Sequence, residues 1–259
     1  MGTILPKYAV VSVGANAWLN ANSGPIPAPI LVGDGSYVTS SGGNNGGVSG
    51  GLYVSGSEKA GSDNLQKLQT KPAVYTIGAS EATTAYADAA KLSSTAASLA
   101  ASQSFTSTVS GAKTITGIGG LTVVDFTSLQ NPLLTISGTS SDYFVFNVSG
   151  LLNTNQKMIL NGVTAAQILW NFTGTGTVFQ TSGGDAMFGT FLSTNGGSFQ
   201  FSNLVLSGQL IDTGGKIQFV SGSKMLFSSP FTPPSTPEPA SLILLGSGLL
   251  MLGRVFRRK

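Results

Sequence analysis

The sequence predicts a mainly-β chain of many short strands, with one long helix and a second, apolar helix at its C-terminal end. Three observations predict it. Glycine makes up 35 of 259 residues, about twice its usual share, and Ser, Thr and Asn are also abundant, which suits short strands joined by tight turns. Apolar residues alternate over short runs that recur about every 10–12 residues between Gly-bearing turns. Residues 79–110 contain neither Gly nor Pro, a stretch unlike the rest of the chain.

Taken in order, Tyr8–Val13 reads as a first strand. Asn22-Ser23-Gly24-Pro25 is a turn, and Pro25, Pro27 and Pro29 favour an extended segment. Ile30-Leu31-Val32 and Leu52-Tyr53-Val54 are strands either side of the flexible loop Ser40–Gly47. Residues 57–78 hold Glu58, Lys59, Asp63, Lys67 and Lys71 and read as a solvated connector with a short helical turn. A helix is expected over about 81–102. Ser80-Glu81 supplies an N-cap and a first-turn acid, and Ala82, Ala85, Ala89, Leu92, Ala96, Leu99 and Ala100 recur at helical spacing. Its apolar face is narrow and small, so it should lie close against a flat surface.

Residues 105–227 return to strands, with alternation in Phe144/Phe146/Val148, Ile168/Trp170/Phe172, Phe199/Phe201, Leu204/Leu206 and Ile217/Phe219. The spacing permits a β-sandwich. The Asn/Gly turns and aliphatic–polar–aliphatic triplets equally suit a β-solenoid, in which each rung stacks on the last.

The C-terminal end has three unlike pieces. After the hinge Pro233–Thr236 come Pro237-Glu238-Pro239, then an apolar stretch, then Arg254, Arg257, Arg258 and Lys259. Ala240–Phe256 would span roughly 25 Å as a helix, just short of the ~30 Å hydrocarbon core. Arg254 lies near its end, where it can snorkel, and the basic cluster predicts a cytoplasmic C-terminus. A buried core helix would not ordinarily follow a Pro-rich hinge and end in four cations.

This tail resembles the PEP-CTERM sorting signal of Gram-negative bacteria. The resemblance covers Pro237–Lys259 and rests on Pro237, Glu238 and Pro239, the short apolar span, and Arg254, Arg257 and Arg258. It implies an exported chain whose tail is recognised and processed by an exosortase, an integral-membrane enzyme, with residues 240–256 in the inner membrane beforehand. The start fits export poorly. Met1–Ala17 has one cation and a Gly-broken apolar run, a weak signal peptide, so the expected start lies upstream of this one.

The body carries a second resemblance. Tyr8-Ala9-Val10-Val11, the Gly-rich loop, the Ala-rich helix, Asp142-Tyr143-Phe144-Val145-Phe146-Asn147-Val148 and Ile168-Leu169-Trp170-Asn171-Phe172 follow one another in an order similar to that of the ice-binding-like β-helix family and the choice-of-anchor A domain. The resemblance covers roughly residues 8–227. It implies a right-handed β-solenoid with the helix packed alongside, and favours this over the sandwich. The family's Cys near the Trp strand is missing here. The implied organisation is a solenoid domain over 1–228, a Pro-rich linker over 229–236 and the sorting signal over 237–259.

Composition removes most chemistry. There is no Cys and no His, hence no thiol nucleophile, no Ser-His-Asp triad and neither of the commonest transition-metal ligands. Without the tail the body holds nine cations and nine acids, which argues against nucleic acid, a ligand that calls for a basic face. The body carboxylates are scattered, and Asp34 between two glycines falls far short of the oxygens calcium needs. No phosphate loop is present, so no cofactor or metal is expected. Trp18 and Trp170 sit in apolar runs and read as core, and the sequons at Asn147 and Asn171 fall inside expected strands.

Thr106/Thr108, Thr114/Thr116 and Thr173/Thr175/Thr177 form a candidate ligand face, because ranked threonines on a flat β surface can match the water lattice of ice. Against that stands the ordinary β-propensity of Thr. The sequence thus reads as a non-enzymatic exported envelope or matrix protein, structural or adhesive, with an ice- or polysaccharide-binding module as the alternative and a hydrolase as a remote third. Its expected partners are an exosortase, the membrane and possible exopolysaccharide or ice.

Overall fold

The computed structural model describes residues 5–14, 16–21, 26, 29–33, 37–39, 50–56, 74–183, 185–220 and 222–232. Every strand pairing among them is parallel. That rules out the sandwich, whose sheets are built from antiparallel neighbours. The strands stack instead as rungs of a solenoid with three faces, and each coil visits the three in turn.

On the first face the rungs follow in this order: Val74–Ile77, Leu52–Ser55, Ile30–Gly33, Val10–Val13, 210–213, 190–193, Ile168–Phe172, Tyr143–Val148, 121–126 and 103–105. The chain therefore starts in the middle of the stack. Its N-terminal coils run to one end, and later coils begin at the other end and wind back. The last of them seals against the first strand, with Val10 beside Leu210 and Val13 beside Thr213.

Helix α1 (Ala79–Ser98) carries the chain between the two ends. Its 20 residues give a length of about 30 Å at 1.5 Å per residue, or about six inter-strand steps of ~4.8 Å. That is the interval from Ile30–Gly33 to 121–126. Ala82, Ala85, Ala89 and Ala96 pack on Leu31, Val11, Ile211, Leu192, Leu169, Val145 and Val123, one outward residue from each rung. The small side chains are what let the helix lie so close: a Cβ on Gly33 would come within 2.4 Å of the Ala82 Cβ.

The helix ends at Ser98, short of the expected 102, because Gln103 already opens the strand Gln103–Thr116. Its start is capped from outside, with Gly78 rather than Ser80 at the N-cap. The Ser55 hydroxyl donates to the Gly78 carbonyl at 2.7 Å and accepts from the Ala82 amide at 2.9 Å. A rung of the solenoid thereby satisfies donors that a local Ser usually serves. Within the expected connector, 57–73 lie outside the described residues, and Val74–Ile77 is a strand rather than a helical turn.

The interior is an aromatic stack. Phe105, Phe126, Phe146, Trp170 and Phe191 follow one another rung by rung at centroid separations of 4.5–5.9 Å. Trp170 is fully buried and donates to the Phe188 carbonyl at 3.1 Å. Among the described residues no helix is long and apolar enough to cross a membrane. The expected apolar helix 240–256 lies outside them.

Candidate binding surface

The first face belongs to the helix, and a polar column locks it there. Asp125, Asn147 and Asn171 stand in register on successive rungs. Asn171 Nδ2 donates to Asn147 Oδ1 at 2.8 Å, and Asn147 Nδ2 donates to Asp125 Oδ1 at 3.1 Å. The same amides reach the helix main chain: Asn171 Nδ2 donates to the Ser93 carbonyl and Asn147 Nδ2 to the Ala96 carbonyl, while the Ser93 hydroxyl donates to Asn171 Oδ1 at 2.7 Å. Both sequon asparagines are therefore spent on docking α1.

The threonines singled out in the sequence are scattered over the solenoid. Thr106 and Thr108 lie where the strand slips register between Phe105 and Thr108, and the Thr108 and Ser128 hydroxyls meet at 2.7 Å. Thr114 and Thr116 are on the third face, in register with Thr135 and Ser137 and then with Ile159 and Asn161. Thr173 and Thr106 line one groove beside the last turn of α1. Thr175 is exposed in the following turn. Thr177 opens the second face and accepts from Gln200 Nε2 at 3.2 Å. Pro237, Glu238, Pro239, Arg254, Arg257 and Arg258 lie outside the described residues.

The second face carries an order that sequence reading did not find. Its rungs pair Gln130 with Asn153, Asn153 with Gln180, Gln180 with Gln200, Gln200 with Gln218 and Gln218 with Asn20. Their inward neighbours Leu129, Leu152, Phe179, Phe199, Ile217 and Leu19 are buried, so alternation turns these amides away from the core, and all but the buried Asn20 reach the surface. The column spans about 24 Å, or five steps of ~4.8 Å. Among the described residues Gln130, Asn153, Gln180 and Gln218 make no side-chain hydrogen bond. They present a row of free donors and acceptors. A shallow hollow of about 160 Å³ runs beside Gln180, Gln200 and Gln218.

Beside the amides Lys216 pairs with Trp18, both on the outward side of their strands. The Lys216 Nζ sits 3.9 Å from the Trp18 ring centroid, a cation–π contact. Trp18 is thus half-buried on the surface rather than core, because Leu19 and Ala21 take the inward positions of that strand.

Two carboxylates have shifted acidity. Asp142 accepts from the Thr139 amide and hydroxyl and from the Gly119 and Gly120 amides. These bonds, led by those from Thr139, hold its carboxyl down at about 2. The site is a corner clasp, since a Cβ on Gly117 would strike the carboxylate at 2.4 Å. Asp212 is fully buried, and burial pushes its carboxyl up to about 8 against the pull of the Gly215 and Thr213 amides. Its Oδ2 and the Ser12 hydroxyl in the adjoining rung have no partner among the described residues. No group of three or more His, Cys, Asp or Glu that could hold a metal occurs among the described residues.

Known proteins resemble this chain over most of its length. An ice-binding protein from an Arctic yeast, LeIBP, has a TM-score of 0.64 at 14% identity, covering 91% of this chain and 96% of its own. An ice-binding protein from an Antarctic Biological Consortium gives 0.60 at 19% identity, covering 87% and 90%. One from the Antarctic ascomycete Antarctomyces psychrotrophicus gives 0.53 at 16%, covering 91% and 98%. At such identities the likeness is one of fold. No curated protein matches the sequence. Residues 235–259 match the PEP-CTERM protein-sorting motif, and residues 4–212 match the family described as "Putative Ice-binding-like adhesive domain". With most of its solenoid inside that match, the chain belongs to the ice-binding-like adhesive domain family.

Proposed function

We propose that this is a non-enzymatic adhesive protein of the cell envelope or extracellular matrix, delivered through its C-terminal signal. Its second face would bind hydrated polysaccharide. The observation that carries the reading is the in-register amide column from Gln130 to Gln218. Amides offer donors and acceptors together, which hydroxyl-rich chains require, and the column runs along the solenoid as an extended polymer would. Trp18 adds a ring at its edge. Ice is the rival ligand, since the solved relatives are ice-binding proteins. Long, rotamer-rich Gln side chains are less suited to matching a crystal lattice than a rank of rigid Thr, and Thr106, Thr127 and Thr173 share their rank with Ser149 in a groove rather than on a flat face.

In this reading 1–228 is the adhesive body, 229–236 a linker and 237–259 the signal. The apolar span 240–256 engages the inner membrane until an exosortase removes or replaces the tail, with Pro237, Glu238, Pro239 and the terminal arginines as its recognition elements.

Two measurements test the two halves. The triple variant Gln180→Ala/Gln200→Ala/Gln218→Ala should bind the host's exopolysaccharide at least tenfold more weakly, with an unchanged melting temperature. Unaltered polysaccharide binding, or ice-growth inhibition by the wild type without polysaccharide binding, would overturn the choice of ligand. Expression in the native host with and without its exosortase tests the sorting half by mass spectrometry of the C-terminus. An intact Lys259 on the exported protein would sink that half.

A further inference from the structure

The groove beside the last turn of α1 is separate from the amide face and is built differently. It encloses about 400 Å³, within the usual range for small-ligand sites. Its walls include Ala97 on the helix and, on three successive rungs, Ser104, then Asp125 and Thr127, then Ser149, with Phe105 at its edge. Each wall comes from a fixed element: the docked helix on one side, stacked strands on the other.

Asp125 is the one charged group in the lining. Asn147 donates to its Oδ1 and is itself held by Asn171 and the helix carbonyl of Ala96, so the carboxylate is aimed by a column with no slack. Oδ2 takes no hydrogen bond among the described residues. The hydroxyls nearby are almost unused. Ser104 and Thr127 form no side-chain hydrogen bond there, and the Ser149 hydroxyl reaches the Phe126 carbonyl only at 3.5 Å.

The electrostatics narrow the ligand. The last turn of α1 contains no basic residue, so its carbonyl end and Asp125 together make the groove unfavourable to anions. Lys113, on the same strand as Ser104, is held over the Phe105 ring at 4.5 Å from its centroid. A divalent cation such as calcium wants six to eight oxygens, several of them charged, and one carboxylate falls short. What remains is a neutral ligand with many hydroxyl donors, able to give two hydrogens to one carboxylate, exchange others with Ser and Thr, and rest a carbon–hydrogen face on Ala97.

We propose that this groove is a pocket for a single neutral sugar residue, with Asp125 as its principal acceptor and Ser104, Thr127 and Ser149 as secondary partners. The pocket stands independently of the polysaccharide reading of the second face. Titration calorimetry or ligand-observed NMR on the full chain, with glucose, galactose, mannose and N-acetylglucosamine, tests it. At least one should bind saturably with a millimolar dissociation constant. Asp125→Asn and Thr127→Val should each weaken binding about tenfold, while Lys224→Ala, exposed on the third face, leaves it unchanged. Comparing the methyl glycoside with an oligosaccharide carrying the same terminal unit distinguishes a free sugar from a chain end, and binding of either supports the pocket. The proposal is overturned if no sugar saturates by about 50 mM, far above the millimolar range expected for such a site. It is also overturned if both variants bind like wild type, or if calcium alone binds at Asp125 and no sugar does.

Discussion

At the scale of residues, burial decides what a polar group does. Asn171 is fully buried yet satisfied, with three partners on two elements. Asp212 is as deeply buried but short of partners, and the cost appears in its acidity. Its carboxyl titrates near 8 in the folded protein against about 4 in an unfolded chain. Below pH ~4 both states are protonated and the fold carries no charge penalty. As pH rises from about 4 to about 8 the unfolded state loses its proton while the folded state keeps it, so stability falls through that window and levels off above it. Asp212→Asn should remove that slope and stabilise the protein at neutral pH by about 1–3 kcal/mol. Urea unfolding across pH 4–9 reads it out, and a wild-type profile that rises with pH over the window would refute the account. Asp142 acts in the opposite sense: its depressed carboxyl favours the fold above about pH 4, and that contribution fades as pH falls toward 2.

At the scale of elements, the sequence was most legible where a single period governs. The Ala spacing of α1 and the alternation in Ile168/Trp170/Phe172 each identified an element and its core side. What alternation could not reveal is that Leu169 and Asn171, the other side of that strand, are buried as well, because the covering helix comes from a segment 78 residues away. The helix start was misplaced for a similar reason, as its cap is a hydroxyl from a distant rung. The close approach of α1 has a direct consequence. Ala89 is fully buried against the first face, so Ala89→Leu should force the helix outward and cost about 1–3 kcal/mol. Equilibrium denaturation measures this, whereas Ala90→Leu, on the exposed side, should be nearly neutral.

At the scale of the whole molecule, register is the information the sequence conceals. From Gln130 to Gln218 the amides of the second face are separated by 18 to 27 residues along the chain, so no period betrays them, although each follows a buried apolar residue, as in Phe179-Gln180 and Phe199-Gln200. Asn20 joins the column only because the N-terminal coil is inserted beside the last one. That seam should be the mechanical weak point. In a stack held by nearest-neighbour contacts, damage stays local. Val11→Pro, which removes a donor from a central strand, should speed amide exchange at 30–33 and 210–213 and leave 121–126 protected. Hydrogen-exchange mass spectrometry checks it, and uniform loss of protection would argue against local coupling.

The chain's exit from the solenoid has one last consequence. Phe231 is buried against the first-face cluster, its amide donates to the Thr190 hydroxyl at 2.9 Å, and its ring meets Tyr143 edge-on. The Thr232 amide donates to the Ala166 carbonyl. The chain therefore departs at mid-stack, from the edge between the third and first faces. In a three-faced body that edge lies opposite the second face. The exit point itself therefore covers neither the amide column nor either end of the stack.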